Sequence, residues 1–321
     1  LTPPNFPIGA STRELGMNAN RAEYLSHKGV MIEEFSSILK NVPPGYFIDA
    51  TYGYGSHFRL NDKYEHLDFI GFDRDLESIE NSNNDDKVYQ LNFSQISQYL
   101  IDNDLNPISG ILYDFGVSSH QIDSLKRGFS FQEDSDLDMR MDQLQKLTAY
   151  EVVNDYREDK LIHILKLYSE DKFSKKIAKA IVKSRPISGT KNLVEVIKNA
   201  LPKQNPIYTN KTIRRIFQAL RIEVNNELNE IKTSLEAIKN LISKDGVIVC
   251  ISYHSLEDKI VKHFFNELSI DCICQPIIPV CNCNTKQEYV IPKKKKFVPT
   301  DKEIKVNPRS KSAIMRYAIK L

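Results

Sequence analysis

The chain has 321 residues, of which 41% are hydrophobic and 27% charged, a balance typical of a globular protein large enough for two domains. No apolar run approaches the ~18 residues that a membrane-spanning helix needs, which argues against a membrane protein. The N-terminal residues lack the apolar core of a secretory signal. Five cysteines without such a signal predict reduced thiols and a cytoplasmic protein.

The net charge of +2 conceals two strongly basic regions. Residues 172–220 hold 12 lysines and arginines against one acid, a balance of +11, and residues 286–321 hold 11 against three, a balance of +8. The remainder therefore carries −17. Two basic regions on an otherwise acidic chain indicate a polyanion such as nucleic acid as partner, although a solvated helix face and a solubilising tail would give the same pattern.

Segments with helical and strand-like patterns alternate along much of the chain. Residues 1–23 are polar and interrupted by prolines, so we predict a flexible N-terminal extension. Residues 33–39 and 228–242 have the spacing of amphipathic helices. Short apolar runs predict buried parallel strands at 46–48, 69–72, 111–113 and 247–251. This alternation predicts a doubly wound α/β sheet.

Between the third and fourth predicted strands the pattern becomes mainly helical. We predict an inserted helical domain at 119–220, flanked by the two parts of the sheet domain at 24–118 and 221–321. The insert contains the first basic region and is therefore predicted to recognise the substrate. One of its predicted helices has an apolar stripe formed by Phe173, Ile177, Ala180 and Ile181. Much of the rest of this helix carries lysines: Lys172, Lys175, Lys176, Lys179 and Lys183.

The first strand leads into a loop that contains Gly53 and Gly55, and the second strand ends at Asp73, 20 residues past Gly53. A glycine loop followed at this distance by an acid is typical of a site for an adenosine cofactor, with the acid on the ribose. Phe58 stands where the dinucleotide pattern needs its third glycine, and no Walker loop occurs. The loop favours a cofactor without a polyphosphate, such as S-adenosylmethionine. The alternative is an ordinary β-turn followed by an unrelated acid.

Nine distinctive sequence blocks occur in order along the chain: residues 27–34, 49–57, 114–123, 127–131, 137–142, 217–222, 224–228, 254–259 and 307–313. Together they resemble the blocks of the MraW family of bacterial small-subunit ribosomal RNA methyltransferases. The resemblance extends from about His27 to the C-terminus.

The resemblance implies a Rossmann-like, S-adenosylmethionine-dependent methyltransferase sheet with an inserted, mainly helical domain. The implied reaction is methylation of the N4 amine of a cytidine in the decoding region of small-subunit ribosomal RNA, either as free RNA or in the assembled small subunit. The resemblance leaves the oligomeric state open. Carried onto matching positions, the implied cofactor contacts are Gly55, Ser56, His57, Asp73, Phe93, Asp114 and Gln121.

Each implied contact has a physical role. Backbone amides at 55–57 would lie near the methionine end of the cofactor, where glycine permits close approach. Asp73 would accept hydrogen bonds from the ribose hydroxyls, and Phe93 would offer its face to the adenine. Asp114 ends the third strand at the crevice where open sheets bind ligands, and Gln121 lies on the loop that leads to the insert.

Three positions depart from the usual pattern of the family. Ser56 stands where a second glycine is usual, and if this position requires a positive φ the serine costs about 1 kcal/mol. Gly29 and His120 stand where prolines are usual. These departures affect the local geometry and not the resemblance as a whole.

The exocyclic amine of cytosine is a weak nucleophile because its lone pair is delocalised into the ring. Methyl transfer needs this amine in line with the sulfonium at ~3–3.5 Å, and a group that accepts the departing proton. We predict Asp114 as this acceptor and His254 as the second candidate, with a helix cap through Ser255 or Asp258 as the alternative role of His254. Three basic residues are predicted to hold phosphates or the insert itself: Arg140, Arg309 and Lys311.

Four cysteines form a compact C-x-C-x₆-C-x-C pattern: Cys272, Cys274, Cys281 and Cys283. Four thiolates suit a tetrahedral zinc ion, but C-x₂-C spacing is the commoner pattern in zinc sites. We therefore expect no metal and four reduced thiols on a surface loop, with zinc as the alternative. Cys250 lies in a predicted core strand and is expected to be inert.

Two other functions share features with RNA methylation. A non-catalytic RNA- or ribosome-binding protein could keep the same fold, but Asp49, Asp73, Asp114 and His254 are all present, which favours an enzyme. A DNA cytosine-N4 or adenine-N6 methyltransferase usually has an acid, serine or asparagine followed by Pro-Pro and an aromatic residue after its third strand. Residues 114–117, Asp-Phe-Gly-Val, do not match that pattern.

Overall fold

The computed structural model describes residues 29–321 except 84, 125, 204, 275–282 and 284. Within these residues one seven-stranded sheet runs through the chain. Its strands are β1 (Gly45–Asp49), β2 (Leu67–Asp73), β3 (Val88–Gln90), β4 (Ile108–Asp114), β5 (Ile242–Ser252), β6 (Tyr289–Val290) and β7 (Ile314–Lys320). The predicted extension at 1–23 and Cys281 lie outside the described residues.

The strands follow the order β3-β2-β1-β4-β5-β7-β6. Strands β1 to β5 pair in parallel, and β7 pairs antiparallel with both β5 and β6. The four predicted parallel strands are confirmed as β1, β2, β4 and β5. Because these strands run parallel, their carboxyl ends meet at one edge of the sheet.

The described helices connect and cover these strands. They are α1 (Ile32–Leu39), α2 (Leu76–Glu80), α3 (Ile96–Asp102), α4 (Ser119–Asp123), α5 (Ala149–Asp155), α6 (Glu158–Ser169), α7 (Ser174–Lys183), α8 (Thr190–Ala200), α9 (Pro206–Asn225), α10 (Glu227–Ile238), α11 (Ser255–Leu268) and α12 (Asp301–Val306). No helix in this described part of the chain is both long and apolar enough to cross a bilayer.

Apolar clusters cover both faces of the sheet. Successive side chains of a strand point to opposite faces, so Phe47 joins one cluster and Ile48 the other. The cluster around Phe47 includes Phe35 and Leu39 of α1, and the cluster around Ile48 includes side chains of α3, α10 and α11. Burial on both faces explains why these strands are continuously apolar in sequence.

A separate apolar core lies among the helices between β4 and β5. It extends from Leu137 to Val224, and the long helix α9 packs against α6 and α8 within it. Helix α9 ends at Asn225, beyond the proposed boundary of the insert at 220. A core of its own supports the proposal that this segment is an inserted domain.

Helix α7 has the amphipathic character predicted for it. Ile177 and Ile181 are fully buried, together with Ala178, while Phe173 and Ala180 are partly buried against the same core. The lysines on the other side are exposed: Lys175, Lys176, Lys179 and Lys183. The helix therefore presents a cationic face to its surroundings.

Candidate active site

A cavity of about 360 Å³ opens at the carboxyl ends of β1, β2 and β4. Ligands bind at this edge in open α/β sheets, and small-molecule sites commonly have volumes of ~300–1,000 Å³. We call it the sheet-edge cavity. Its lining includes the predicted site residues Ser56, His57, Asp73, Phe93, Asp114 and Gln121.

The glycine loop forms one wall of this cavity. Gly53 and Gly55 have φ values of 53° and 65°, a region that residues with a Cβ rarely adopt. The N–H of Gly53 donates to Oδ2 of Asp73 at 2.7 Å, which ties the loop to the end of β2. A Cβ on Gly55 would lie 2.8 Å from the Tyr52 hydroxyl oxygen. Gly53 lines the cavity and the predicted contact Gly55 does not.

The backbone of Ser56 is free of the strain that a positive φ would cause. It does not have the positive φ that its neighbours Gly53 and Gly55 have. Its hydroxyl accepts a hydrogen bond from Nη2 of Arg59 at 3.3 Å. The substitution of the usual glycine is therefore compatible with the loop geometry.

Asp73 lies at the end of β2 with both carboxylate oxygens directed by backbone donors. Oδ1 accepts from the N–H of Asp75 at 2.9 Å, while Oδ2 accepts from Gly53. Burial raises the pKa of Asp73 to about 6, and these two hydrogen bonds oppose the shift. Each oxygen keeps a second lone pair, so the carboxylate can still accept from a ligand hydroxyl.

Asp114 ends β4 and faces the cavity between two ring systems. Its Oδ1 accepts a hydrogen bond from the Tyr253 hydroxyl at 2.8 Å, and its Oδ2 lies 3.8 Å from Nδ1 of His57. The N–H of Asp114 donates to Oγ1 of Thr51 at 2.7 Å, which fixes the strand end. Burial raises the pKa of Asp114 to about 7, and the hydrogen bond from Tyr253 acts in the opposite direction.

His57 is held in one tautomer by the backbone. Its Nε2 lies 2.9 Å from the carbonyl oxygen of Val30, and since a carbonyl only accepts, Nε2 carries the hydrogen. Burial lowers the pKa of His57 and keeps the ring neutral. The unprotonated Nδ1 therefore faces Oδ2 of Asp114 at 3.8 Å, and burial opposes its protonation.

Asp49 completes an acidic cluster beneath the cavity. Burial raises its pKa to about 7, and the nearby charges of Asp114 and Asp73 add to the increase. Its Oδ2 is buried and has no hydrogen-bond partner among the described residues. Asp73 and Asp114 line the cavity above Asp49, and a cationic ligand there would stabilise these crowded carboxylates. The sulfonium and ammonium groups of S-adenosylmethionine fit this requirement.

Phe93 and Gln121 both line the cavity. The Phe93 ring packs edge-on against Tyr113, with ring centroids 5.9 Å apart. Gln121 belongs to α4 and not to a loop, which corrects the sequence prediction. Its Nε2 donates to Oδ2 of Asp75 at 2.7 Å and its Oε1 accepts from the N–H of Ser118 at 3.1 Å. Gln121 therefore holds Asp75, whose own N–H binds Asp73.

His254 is not brought to the cavity. It is the residue before α11 and does not line the cavity wall, where its neighbour Tyr253 does. Its Nε2 lies 3.0 Å from Oε1 of the fully buried Glu257. His254 occupies the N-cap position of α11, and Oε2 of Glu257, not Ser255 or Asp258, accepts from its backbone N–H at 3.3 Å.

Two cavity residues were missed by the sequence reasoning. Tyr253 follows β5 directly, and only the structure shows its hydroxyl on Asp114. Arg221 of α9 lines the cavity and forms paired contacts of 2.8 Å with both carboxylate oxygens of Glu227. Arg221 lies within the sequence block 217–222, and Tyr253 directly precedes the block 254–259. These positions were the sequence signal that could have identified both residues.

The predicted phosphate-binding arginines divide into two groups. Arg140 binds Asp138 through Nη2 at 2.9 Å and two backbone carbonyls through Nη1, so it holds the helical segment together. Arg309 lines the cavity, with Nη1 3.0 Å from Oδ2 of Asp123. Arg309 is therefore placed to meet a substrate and Arg140 is not.

Five parallel strands are followed in the sheet by the antiparallel β7, which pairs with β5, and an acid-lined cavity opens at the carboxyl ends of the parallel strands. This combination defines a Rossmann-like methyltransferase. Residues 24–321 match the model of the MraW methylase family, and the chain belongs to that family. Its cofactor is S-adenosylmethionine.

Curated relatives are similar over nearly their whole length. The ribosomal RNA small subunit methyltransferase H of Caldicellulosiruptor saccharolyticus is 44% identical over 306 residues, which cover 92% of this chain and 99% of the relative. The protein of the same name from Clostridioides difficile is 42% identical over 310 residues, with the same coverage.

Proposed function

We propose that this protein transfers a methyl group from S-adenosylmethionine to the N4 amine of a cytidine in small-subunit ribosomal RNA. The observation that carries the proposal is the Asp114 carboxylate, which lines the sheet-edge cavity, accepts from Tyr253 at 2.8 Å and has a pKa of about 7. The relatives that carry the name ribosomal RNA small subunit methyltransferase H support this class of substrate.

A carboxylate with this pKa suits the chemistry of an aromatic amine. When ionised, Asp114 can accept a hydrogen bond from the N4 amine and draw its lone pair out of conjugation with the ring. Its raised pKa makes it a better proton acceptor near neutral pH than an ordinary aspartate.

The other cavity residues would position the two reactants. The cofactor supplies an electrophilic methyl group on its sulfonium. Asp73 would accept from the ribose hydroxyls, Phe93 would pack against the adenine, and backbone groups at 55–57 would lie near the methionine end. Ser56 and His57 line the cavity and support this orientation, whereas Gly55 acts by allowing the loop to turn.

Gln121 takes an indirect part in the proposed site. Its amide holds Asp75, and Asp75 in turn donates to Asp73. Arg127 adds a second hydrogen bond to the same Oδ2 of Asp75, at 2.9 Å. These buried contacts hold Asp73, the proposed ribose-binding acid, in place.

The RNA would approach across the helical segment and the cavity mouth. A base in structured RNA must be unpaired or rotated out before it can enter such a cavity. Arg309 lines the cavity and would contact the backbone of the flipped nucleotide, whereas Arg221 is already paired with Glu227. The exposed lysines of α7 lie in the region whose charge balance is +11, which supports a phosphate-binding role.

The test is transfer of radiolabelled methyl from S-adenosylmethionine to unmodified small-subunit RNA, supplied both free and assembled into subunits. Wild-type protein should label at least one of these substrates, and the preferred one identifies the partner. Asp114→Asn should abolish labelling, whereas Asp136→Asn, an exposed acid outside the cavity, should not. Binding of either RNA without any transfer would support the non-catalytic alternative and overturn the proposal.

A further inference from the structure

The connection between α11 and β6 brings three thiols together. Cys272 and Cys274 follow the end of α11, and Cys283 precedes β6. Their sulfur atoms all lie within 4.8 Å of one another. None of the three lines the sheet-edge cavity, so this thiol cluster is separate from the methyl-transfer site.

The sulfur spacing fits a shared metal ion better than a disulfide. The Sγ atoms of Cys272 and Cys283 are 3.9 Å apart. A disulfide bond would bring two sulfurs to ~2.05 Å. Two thiolates of a tetrahedral zinc site, each ~2.3 Å from the metal, lie ~3.8 Å from each other. The observed separation is compatible with an edge of such a tetrahedron, and it equally suits a hydrogen bond between two thiols.

Backbone amides already point at two of these sulfurs. The N–H of Ile273 donates to Sγ of Cys283 and the N–H of Cys274 donates to Sγ of Cys272, each at 3.4 Å. Hydrogen bonds to a charged form favour that form, so these donors stabilise thiolates. A metal ion needs its cysteine ligands as thiolates.

We propose that Cys272, Cys274 and Cys283 bind one zinc ion that acts as a structural clip. Soft thiolate ligands select zinc over magnesium or calcium, and zinc prefers four ligands at tetrahedral angles. The described residues supply three of these four ligands. The proposed zinc site was the alternative to the expectation of four reduced thiols without a metal.

A bound metal ion would stabilise the part of the chain around the cluster. Ile273, between Cys272 and Cys274, is 69% exposed, so it adds little apolar burial at the cluster. Past the cluster, the N–H of Glu288 donates to the carbonyl of Leu268 at 3.0 Å and β6 pairs with β7. A metal ion would join the two ends of the connection and contribute directly to the free energy of folding.

Metal analysis of the full-length protein tests the site. Wild-type protein purified under reducing conditions in the presence of zinc should retain about one zinc per chain after gel filtration. The double variant Cys272→Ser/Cys283→Ser should lose it. Cys250→Ala, which removes the buried thiol of β5, is the matched control and should retain it. Zinc-free wild type, or a double variant that keeps its zinc, would overturn the proposal.

Cobalt substitution gives a second readout that does not depend on how the variants fold. Wild-type protein titrated with Co²⁺ should develop the intense visible bands of tetrahedral cobalt and the ultraviolet charge-transfer band of cobalt–thiolate bonds. Zn²⁺ should then displace it. Cobalt spectra without charge-transfer absorption, or quantitative thiol oxidation to a disulfide in place of metal binding, would contradict the assignment.

The clip is expected to serve stability and not chemistry. At a temperature where the double variant is folded, its affinity for S-adenosylmethionine should equal that of the wild type, and its rate of methyl transfer should be similar. Its thermal unfolding midpoint should be lower, and added zinc should raise the midpoint of the wild type only. A midpoint that is insensitive to zinc in both proteins would overturn the structural role.

Discussion

Asp114 combines three properties that bear on its role as a proton acceptor. It is buried enough that its pKa rises to about 7, it faces a cavity, and it is held by the hydroxyl of Tyr253. The hydrogen bond from Tyr253 favours the ionised form, whereas burial favours the neutral form. Replacing Tyr253 therefore changes the pKa of Asp114 while leaving the carboxylate itself in place.

Tyr253→Phe should move the pH dependence of methyl transfer. If Asp114 accepts the proton, kcat/KM rises as pH increases through its pKa of about 7. Loss of one hydrogen bond to the carboxylate should shift that midpoint upward by roughly one pH unit and reduce the rate at neutral pH. Tyr89→Phe, at an exposed tyrosine of β3, is the control. An unchanged profile would mean that Asp114 is not the acceptor.

Asp73→Ala should weaken cofactor binding without unfolding the protein. It removes the proposed acceptor for the ribose hydroxyls, and hydrogen bonds to charged groups are each worth ~1.5–3 kcal/mol, so affinity should fall at least ~10-fold. Asp68→Ala alters an exposed acid of the same strand and should leave affinity unchanged. Calorimetric titration with S-adenosylmethionine gives both values, and equal affinities would remove Asp73 from the cofactor site.

At the scale of single elements, helix α7 allows a direct test of the RNA surface. Lys175 and Lys179 are exposed opposite the buried Ile177 and Ile181, so reversing their charge should not disturb the core. Lys175→Glu/Lys179→Glu should weaken RNA binding and reduce the slope of log affinity against log salt by about one unit for each phosphate that the helix no longer binds. Cofactor affinity should not change.

The control for α7 carries the same change of charge elsewhere. Lys232→Glu/Lys262→Glu places two glutamates at exposed lysines of α10 and α11, outside both basic regions. This control should retain most of its RNA affinity and its salt slope. If the α7 variant behaves like the control, α7 is a solvated face and the region around Arg309 must hold the RNA.

The strands that could be predicted are those buried on both faces. β1, β2, β4 and β5 are continuous apolar runs because each lies between two apolar clusters. β3 and β6 have three and two residues, too few to show a period. β3 and β6 are defined by their pairing with β2 and β7. β7 was not predicted although its seven residues, Ile314–Lys320, include several that favour strands.

The site residues that could be predicted from the sequence are those at the ends of strands. Asp73 and Asp114 end β2 and β4, and the sheet brings them to one cavity. The helix at Gln121 also had a signal, because Ser118-x-x-Gln121 is a capping box and the structure uses it as one. The contact between Tyr253 and Asp114 had no local signal, since it joins residues 139 positions apart.

At the scale of the whole molecule, the helical segment is tied to the cofactor side of the sheet by buried polar contacts. Arg127 donates to Asp75 and also to the carbonyls of Arg140 and Met141. Asn225, at the end of α9, binds the N–H of Met141 at 2.8 Å. An RNA held by the helical segment would thus be presented to a cavity whose acids are fixed by the same contacts.

Mass spectrometry of the methylated nucleoside tests the central claim most directly. Unmodified small-subunit RNA, free and assembled, is incubated with protein and S-adenosylmethionine and digested to nucleosides. Wild type should yield N4-methylcytidine, and Asp114→Asn at saturating cofactor should yield essentially none. A methyl group on another nucleoside or another atom of cytidine, or wild-type yield from Asp114→Asn, would contradict the proposed reaction and its proton acceptor.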